Sequence, residues 1–307
     1  MISLSLLDFG NIYPPNVYAH DVINHLFENI QVFEDLGYKR YWMSEHLDSN
    51  IAWASPEHLI PLLAGYSSTI KIGVAGVLMK YHTPIRIAQA FTMISSIYPD
   101  RIDLGLAKGD IQEIYLKPFG DFEKHPNEEY FYSQVKELMG FMQHDQTEEF
   151  KYKDIQIQPY GAKMPDYWLL GSSPSLIQLA VDYKTNFCLS LFHTDRKLTE
   201  LSETLSRFRE LFFKRYGHLP VVSIALQVNC SHSDYIISKF NKEMASKSWK
   251  NNHKAICGKP SEVNDRILEI ADTLNVEEVV LMNAYHSLEE KSESIRLIAE
   301  KMLKKYT

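Results

Sequence analysis

A chain of 307 residues, 45% hydrophobic and 23% charged, has enough apolar material for one large domain or two small ones. A net charge of −7 and a pI near 6.0 exclude the basic face of a general nucleic-acid binder. Cys188, Cys230 and Cys257 stand far apart with no CxxC pair, so neither a disulfide framework nor a zinc site is indicated. The opening "MISLSLLDFG" has no basic n-region or small-residue cleavage site, and Asp8 interrupts it early. No apolar run nears the about 18 residues of a membrane helix. A soluble cytoplasmic protein with no membrane or nucleic-acid partner is expected.

Strand-like runs alternate with amphipathic stretches along the chain. "ISLSLLD" (2–8) reads as a strand. Val22, Leu26, Ile30 and Phe33 then recur at helical spacing up to Gly37, a natural residue just past a helix end. "KRYWMS" (39–44) is the second strand, and "SPEHLIPLLAGY" a helix with Ser55 as N-cap and Pro56 at its first position. "KIGVAGVLM" (71–79), a Thr-Pro-started helix (83–97) and "RIDLGLA" (101–107) follow. The alternation loosens over 108–165, where a helix near 127–143 and a hairpin around "FKYKDIQIQP" are expected. It resumes with "DYWLLG" (166–171), "SPSLIQLAVDY", "NFCLSLF", a helix over 196–215, "PVVSIALQVN" and a helix from about Ser233. "PSEVNDRILEIADTL", the strand "EEVVLMN" (277–283) and a helix from 287 complete the series.

Eight strands, each followed by a helix, with continuous rather than alternating apolar runs, require a parallel sheet buried on both faces. The expected fold is α/β, a (β/α)8 TIM barrel forming one domain over 1–307, with an insertion between strands four and five. A doubly wound open sheet is the rival; "DFGNIYPP" after the first strand is not the GxGxxG that such a fold would favour. In a barrel the chemistry lies at the strand C-termini. Those positions hold Asp8, Ser44-Glu45-His46, Leu78 to His82, Ala107-Lys108-Gly109, Gly171-Ser172-Ser173, Phe192-His193, Asn229 and Asn283.

The segments "GYKRYWMSEHLDSN", "ASPEHLIPLLAG", "KIGVAGVLMKYHTPIRIAQAF", "YPDRIDLGLAKGD" and "WLLGSSPSLIQLA", in this order and spacing, resemble the bacterial luciferase-like flavin monooxygenases over nearly the whole chain. The resemblance implies FMN, or a deazaflavin as in one branch, at the strand C-termini. It puts a non-proline cis peptide of strand three at Ala75-Gly76, beneath the isoalloxazine; read alone, "VAGV" is a tightly packed strand. It makes Gly171, Ser172, Ser173 and Ser175 a phosphate loop, chemistry that suits helix N-terminal amides and hydroxyls. Without the resemblance, Ser173 is a helix N-cap followed by Pro174. Lys108 stands where the family usually has arginine and meets a phosphate as a point charge, without a bidentate grip.

His46 matches the family's histidine over the flavin, and imidazole suits proton transfer near neutrality; Glu45 is expected to orient it or hold a neighbouring amide. Relatives often continue "EHH", whereas this chain has Leu47. Asp8, Tyr81, His82, Phe192 and His193 are candidates for the substrate side, each equally readable as loop packing. No metal site is expected.

The resemblance implies a flavin-dependent oxidoreductase: a monooxygenase using reduced FMN and O2 on a small or peptidic substrate. A second reading is a reductase of an activated double bond, such as dehydroalanine in a lanthipeptide-type peptide. A third is a non-catalytic flavin-binding or scaffold barrel. NAD(P)H or a separate flavin reductase would supply electrons, and a homodimer is expected through the helices flanking strands two to four.

Overall fold

The computed structural model describes residues 2–47, 50–246 and 255–303. Strand β1 (Ser3–Asp8) leads to helix α1 (Ala19–Asp35), β2 (Arg40–Met43), α2 (Ile60–Tyr66), β3 (Lys71–Leu78), α3 (Pro84–Ile97) and β4 (Ile102–Ala107). An excursion then carries α4 (Leu116–Gly120) and α5 (Glu128–Met142). Next come β5 (Asp166–Gly171), α6 (Ser175–Asp182), β6 (Asn186–Ser190), α7 (Leu198–Tyr216), β7 (Val222–Cys230) and α8 (Asp234–Ser246). The last described elements are β8 (Ala255–Gly258), α9 (Pro260–Leu274), β9 (Glu278–Met282) and α10 (Leu288–Met302).

Every strand pairing is parallel, and the sheet closes. Strands β1 to β7 neighbour one another in chain order; β9 then bridges β7 and β1, with Leu281 opposite both Leu226 and Leu6. These eight strands form a (β/α)8 barrel, and the open-sheet alternative falls because β6 pairs with β7 instead of ending the sheet.

β8 is a ninth strand beyond the expected eight. It pairs with β7 from Gln227 to Cys230, past Ala225, where the pairing with β6 stops. Four residues, "AICG", carry too little periodicity to announce themselves as a strand.

Two other local expectations are corrected. The residues "FKYKDIQIQP" make turns, not a hairpin. Phe150 packs edge to face on Phe141 of α5 and Tyr152 stacks on the same ring, so this segment is anchored to a helix without a partner strand. The helix foreseen from Pro56 splits into a one-turn 3-10 segment, Pro56–His58, and α2. Pro61 has no N–H to donate back one turn, so a continuous α-helix cannot run through it, and Ser55 makes no side-chain cap bond.

Two apolar layers result. Outward-facing residues such as Leu6, Tyr41, Ile72, Leu104, Leu189 and Ile224 pack on the helices. Inward-facing Leu7, Trp42, Trp168, Cys188, Ala225 and Val280 fill the lumen.

Candidate active site

The lumen is built in tiers. At the N-terminal end of the strands, Arg40 donates to both carboxylate oxygens of Asp103 at 2.9 Å and to Glu278 at 2.7 Å. Ser5 also donates to Glu278 and the indole N–H groups of Trp42 and Trp168 to Asp103, while Lys39 pairs with the second Glu278 oxygen at 3.2 Å. Burial alone would raise the Glu278 pKa, but Arg40 and Lys39 hold it below the usual carboxylate range. Above this tier Trp42 and Trp168 meet edge to face, ring centroids 5.0 Å apart. This tier fills the lower lumen, and the space lined by the strand C-terminal residues opens above the indoles.

That space is a cavity of about 310 Å3 at the strand C-termini. Leu7, Cys188 and Ala225 form its floor, and Phe9, Leu170 and Phe192 line its sides. Burial pushes the Cys188 thiol up to about 12, so it stays protonated and is no nucleophile near neutrality.

The Ala75-Gly76 peptide bond is cis, and both residues line the cavity. Here β3 carries an irregularity: Val74 pairs with Leu104 and Val77 with Leu106, three steps against two. Close approach explains the glycines. A Cβ on Gly76 would meet Leu170 at 2.7 Å and the Gly105 carbonyl oxygen at 2.8 Å; one on Gly105 would meet the Val74 oxygen at 2.4 Å.

The structure brings Glu45, His46, Ala75, Gly76, Lys108, Gly171, Ser172, Ser173, Phe192 and His193 together around this cavity. His46 lies beside Phe9, with ring centroids 4.7 Å apart. His193 takes a 3.0 Å hydrogen bond between Nδ1 and Ser190 Oγ, and its carbonyl accepts from Ser172 Oγ at 3.2 Å.

Glu45, 4% exposed, binds away from the opening: the Leu78 N–H donates to it at 2.9 Å, and His82 Nε2 lies 2.7 Å from its other oxygen. Burial pulls the His82 pKa down, yet the Glu45 hydrogen bond and charge, with Glu57, more than offset this and leave it raised.

Four predicted residues lie outside the lining. Leu7 and Phe9 face the lumen, so strand alternation turns Asp8 outward, where Lys291, Tyr41 and the Gly10 N–H hold it. Tyr81 packs with Ile111 and Leu116 of the insertion and donates to Asp110 at 3.0 Å. His82 serves Glu45 from behind. Ser175 turns to Glu128. Asn229 accepts from the Ala284 N–H and Asn283 donates to Ser294 Oγ.

Several lining residues escaped sequence reasoning: Phe9, Leu170, Leu176, Cys188, Ser190 and Ala225. Period-two counting from Leu7 would have found Phe9, and from Trp168 would have found Leu170. Glu128 had no local signal, since its partners Lys108 and Ser175 are 20 and 47 residues away.

An apolar slot with a glycine-cleared backbone on one side, and Lys108, Ser172 and Ser173 gathered at one end, fits a flat aromatic ring bearing an anionic tail. The donor set suits a flavin. Among the described residues no group of three or more His, Cys, Asp or Glu is arranged to hold a metal ion, and no helix is long and apolar enough to cross a membrane.

Comparison with known proteins agrees with this geometry. The chain is 25% identical over 335 residues to uncharacterized protein YwcH of Bacillus subtilis (strain 168), covering 98% of this chain and 99% of that one. It is 34% identical over 199 residues to a luciferase-like monooxygenase of Escherichia coli (strain K12), covering 62% and 55%. The N-acetyl-S-alkylcysteine monooxygenase of B. subtilis (strain 168) is 27% identical over 230 residues, covering 72% and 64%.

Among solved structures, apo-MsnO8 superposes with a TM-score of 0.83 at 22% identity, covering 99% of both chains. The oxygenating constituent of 3,6-diketocamphane monooxygenase from Pseudomonas putida, in complex with FMN, gives 0.76 at 15% identity over all of both chains. An F420-dependent secondary alcohol dehydrogenase gives 0.74 at 12%, covering 98% of each. The luciferase-like monooxygenase profile matches residues 5–235, and the chain belongs to this family of flavin-dependent oxidoreductases.

Proposed function

We propose that this protein is an FMN-dependent monooxygenase acting on a small, largely apolar substrate. The observation that carries the reading is the combination of the apolar slot over the glycine-cleared backbone at Ala75-Gly76 with Lys108, Ser172 and Ser173 at one end. The backbone at Ala75-Gly76 supports one face of the ring, and Lys108 with the serine hydroxyls takes the phosphate. Reduced FMN held there would supply two electrons to O2 so that, with two protons, one oxygen atom would enter the substrate and the other would leave as water.

The chain's own part is to hold the ring, keep water out with Phe9, Leu170 and Phe192, and move a proton at the His46 imidazole. Glu45 anchors the segment that carries His46 to the end of β3. Electrons come from NAD(P)H, directly or through a separate flavin reductase. The working unit is a homodimer: Leu62 and Tyr66 of α2 and Met93 and Ile97 of α3, each more than half exposed, supply an apolar face on neighbouring helices.

FMN titration followed by quenching of flavin fluorescence tests the cofactor. Supplying reduced FMN with thioethers and ketones under isotopically labelled O2, and again anaerobically, tests the reaction. Label in the product, lost in His46→Asn, is expected. Product formed equally well without O2 would replace the monooxygenase by the reductase reading, for which Leu47 in place of a second histidine speaks. Failure to bind FMN in either redox state would leave the scaffold.

A further inference from the structure

Lys108, at the phosphate end of the slot, is already engaged by an anion of the chain that sits beside the cavity lining. Glu128, in the first turn of α5, reaches back so that its Oε1 accepts from Lys108 Nζ at 2.9 Å and from Ser175 Oγ at 2.8 Å. The Tyr132 hydroxyl donates to the same oxygen, and Ser175 Oγ lies 2.7 Å from Ser173 Oγ. Hydrogen bonds from Tyr132, Lys108 and Ser175 hold the Glu128 carboxyl down to about 2, so it is ionised throughout the neutral range.

One ammonium and two hydroxyls converging on a single anionic oxygen is the environment a phosphate oxygen needs. Lys108 is the sole lysine or arginine among the described residues lining the cavity, so Glu128 and an incoming phosphate draw on one cation. Glu128 is free to give way. Its side chain is 44% exposed, and water can solvate the carboxylate once it swings out.

We propose that Glu128 is an intramolecular competitor for the phosphate subsite, a specificity residue that lowers the affinity for FMN relative to riboflavin. This rests on the reading of the cavity as a flavin site. A phosphorylated flavin docks its tail only by displacing Glu128 from Lys108 and Ser175; riboflavin, without that charge, docks with the contact intact. Retention of FMN is then set by this exchange as well as by the ring slot.

The test is a titration of wild type, Glu128→Gln, Lys108→Met and the double variant with FMN and with riboflavin, followed by fluorescence quenching at constant ionic strength. Glu128→Gln should tighten FMN on the order of tenfold, the equivalent of one exposed ion pair with its charged hydrogen bonds. Riboflavin affinity should stay within about twofold, since it does not engage the exchange. The FMN gain should disappear in the Lys108→Met background. Inorganic phosphate should compete with FMN at lower concentration in Glu128→Gln than in wild type.

Unchanged or weakened FMN binding in Glu128→Gln overturns the proposal and makes Glu128 an organiser of Lys108 and Ser175. An equal gain for both flavins overturns it too. If neither flavin binds wild type or variant, the flavin reading itself falls, which is distinguishable because no titration then shows quenching.

Discussion

Replacing Glu45 perturbs the joint between the end of β2 and the end of β3. The carboxylate is 4% exposed and takes the Leu78 N–H at 2.9 Å and His82 Nε2 at 2.7 Å. Hydrogen bonds to charged groups are worth about 1.5–3 kcal/mol each. His82 retains some access to water, so its bond counts near the low end, and the total at stake is about 3 kcal/mol in Glu45→Ala. Glu45→Gln keeps an acceptor for Leu78 and loses only the charge, for about 1–2 kcal/mol.

The pH dependence separates the charge from the packing. The His82 pKa is raised in the fold above its ordinary 6.5, against the pull of burial, because Glu45 favours the imidazolium. Its contribution to stability is therefore complete below 6.5 and is lost as pH rises through the higher native value. The stability difference between wild type and Glu45→Gln should be larger at about pH 5 than at about pH 8. Urea unfolding followed by the fluorescence of the buried Trp42 and Trp168 measures both quantities. A difference that does not change with pH would show that Glu45 and His82 are not paired in solution, and a cost in Glu45→Ala under about 1 kcal/mol would remove the joint altogether.

Gly105→Ala would place a methyl 2.4 Å from the Val74 oxygen and 2.5 Å from Leu170 Cδ1. Relief requires backbone movement in β3, so a loss of about 1–3 kcal/mol in urea and weakened FMN quenching are expected together; stability lost with flavin binding intact would contradict the placement. Arg40→Met leaves Asp103 and Glu278 buried without their shared cation, at a cost of about 3–5 kcal/mol by the same unfolding assay. For assembly, Leu62→Glu with Ile97→Glu should convert a dimer to a monomer in sedimentation experiments with the fold retained by circular dichroism. A monomeric wild type would refute that interface.

The barrel was legible in the sequence because parallel strands buried on both faces leave continuous apolar runs, and a helix end such as Gly37 punctuates them. Gly37 does adopt φ of +92° just past its helix, and Gly217, which the sequence reading did not single out, does the same at +74°. Strand ends were legible for the same reason, so Glu45, His46, Lys108 and Ser172 could be assigned to the mouth from chain order alone. Family resemblance located the cis peptide at Ala75-Gly76, where the structure has it.

What the sequence by itself determined is the alternation of elements, hence a parallel α/β sheet, and which loops share its C-terminal end. Whether the sheet closes was decided only by β6 meeting β7 and β9 meeting β1, contacts between residues far apart in the chain. Side-chain direction also had to await the fold. Asp8 and Phe9 are neighbours in sequence but point to opposite faces of one strand, so one is spent on Lys291 while the other lines the cavity. Glu128 illustrates the limit most plainly. It lies in the first turn of α5, and only the placing of that turn near the residue after β4 and the start of α6 sets it against Lys108 and Ser175, because electrostatic partners are chosen by distance in space.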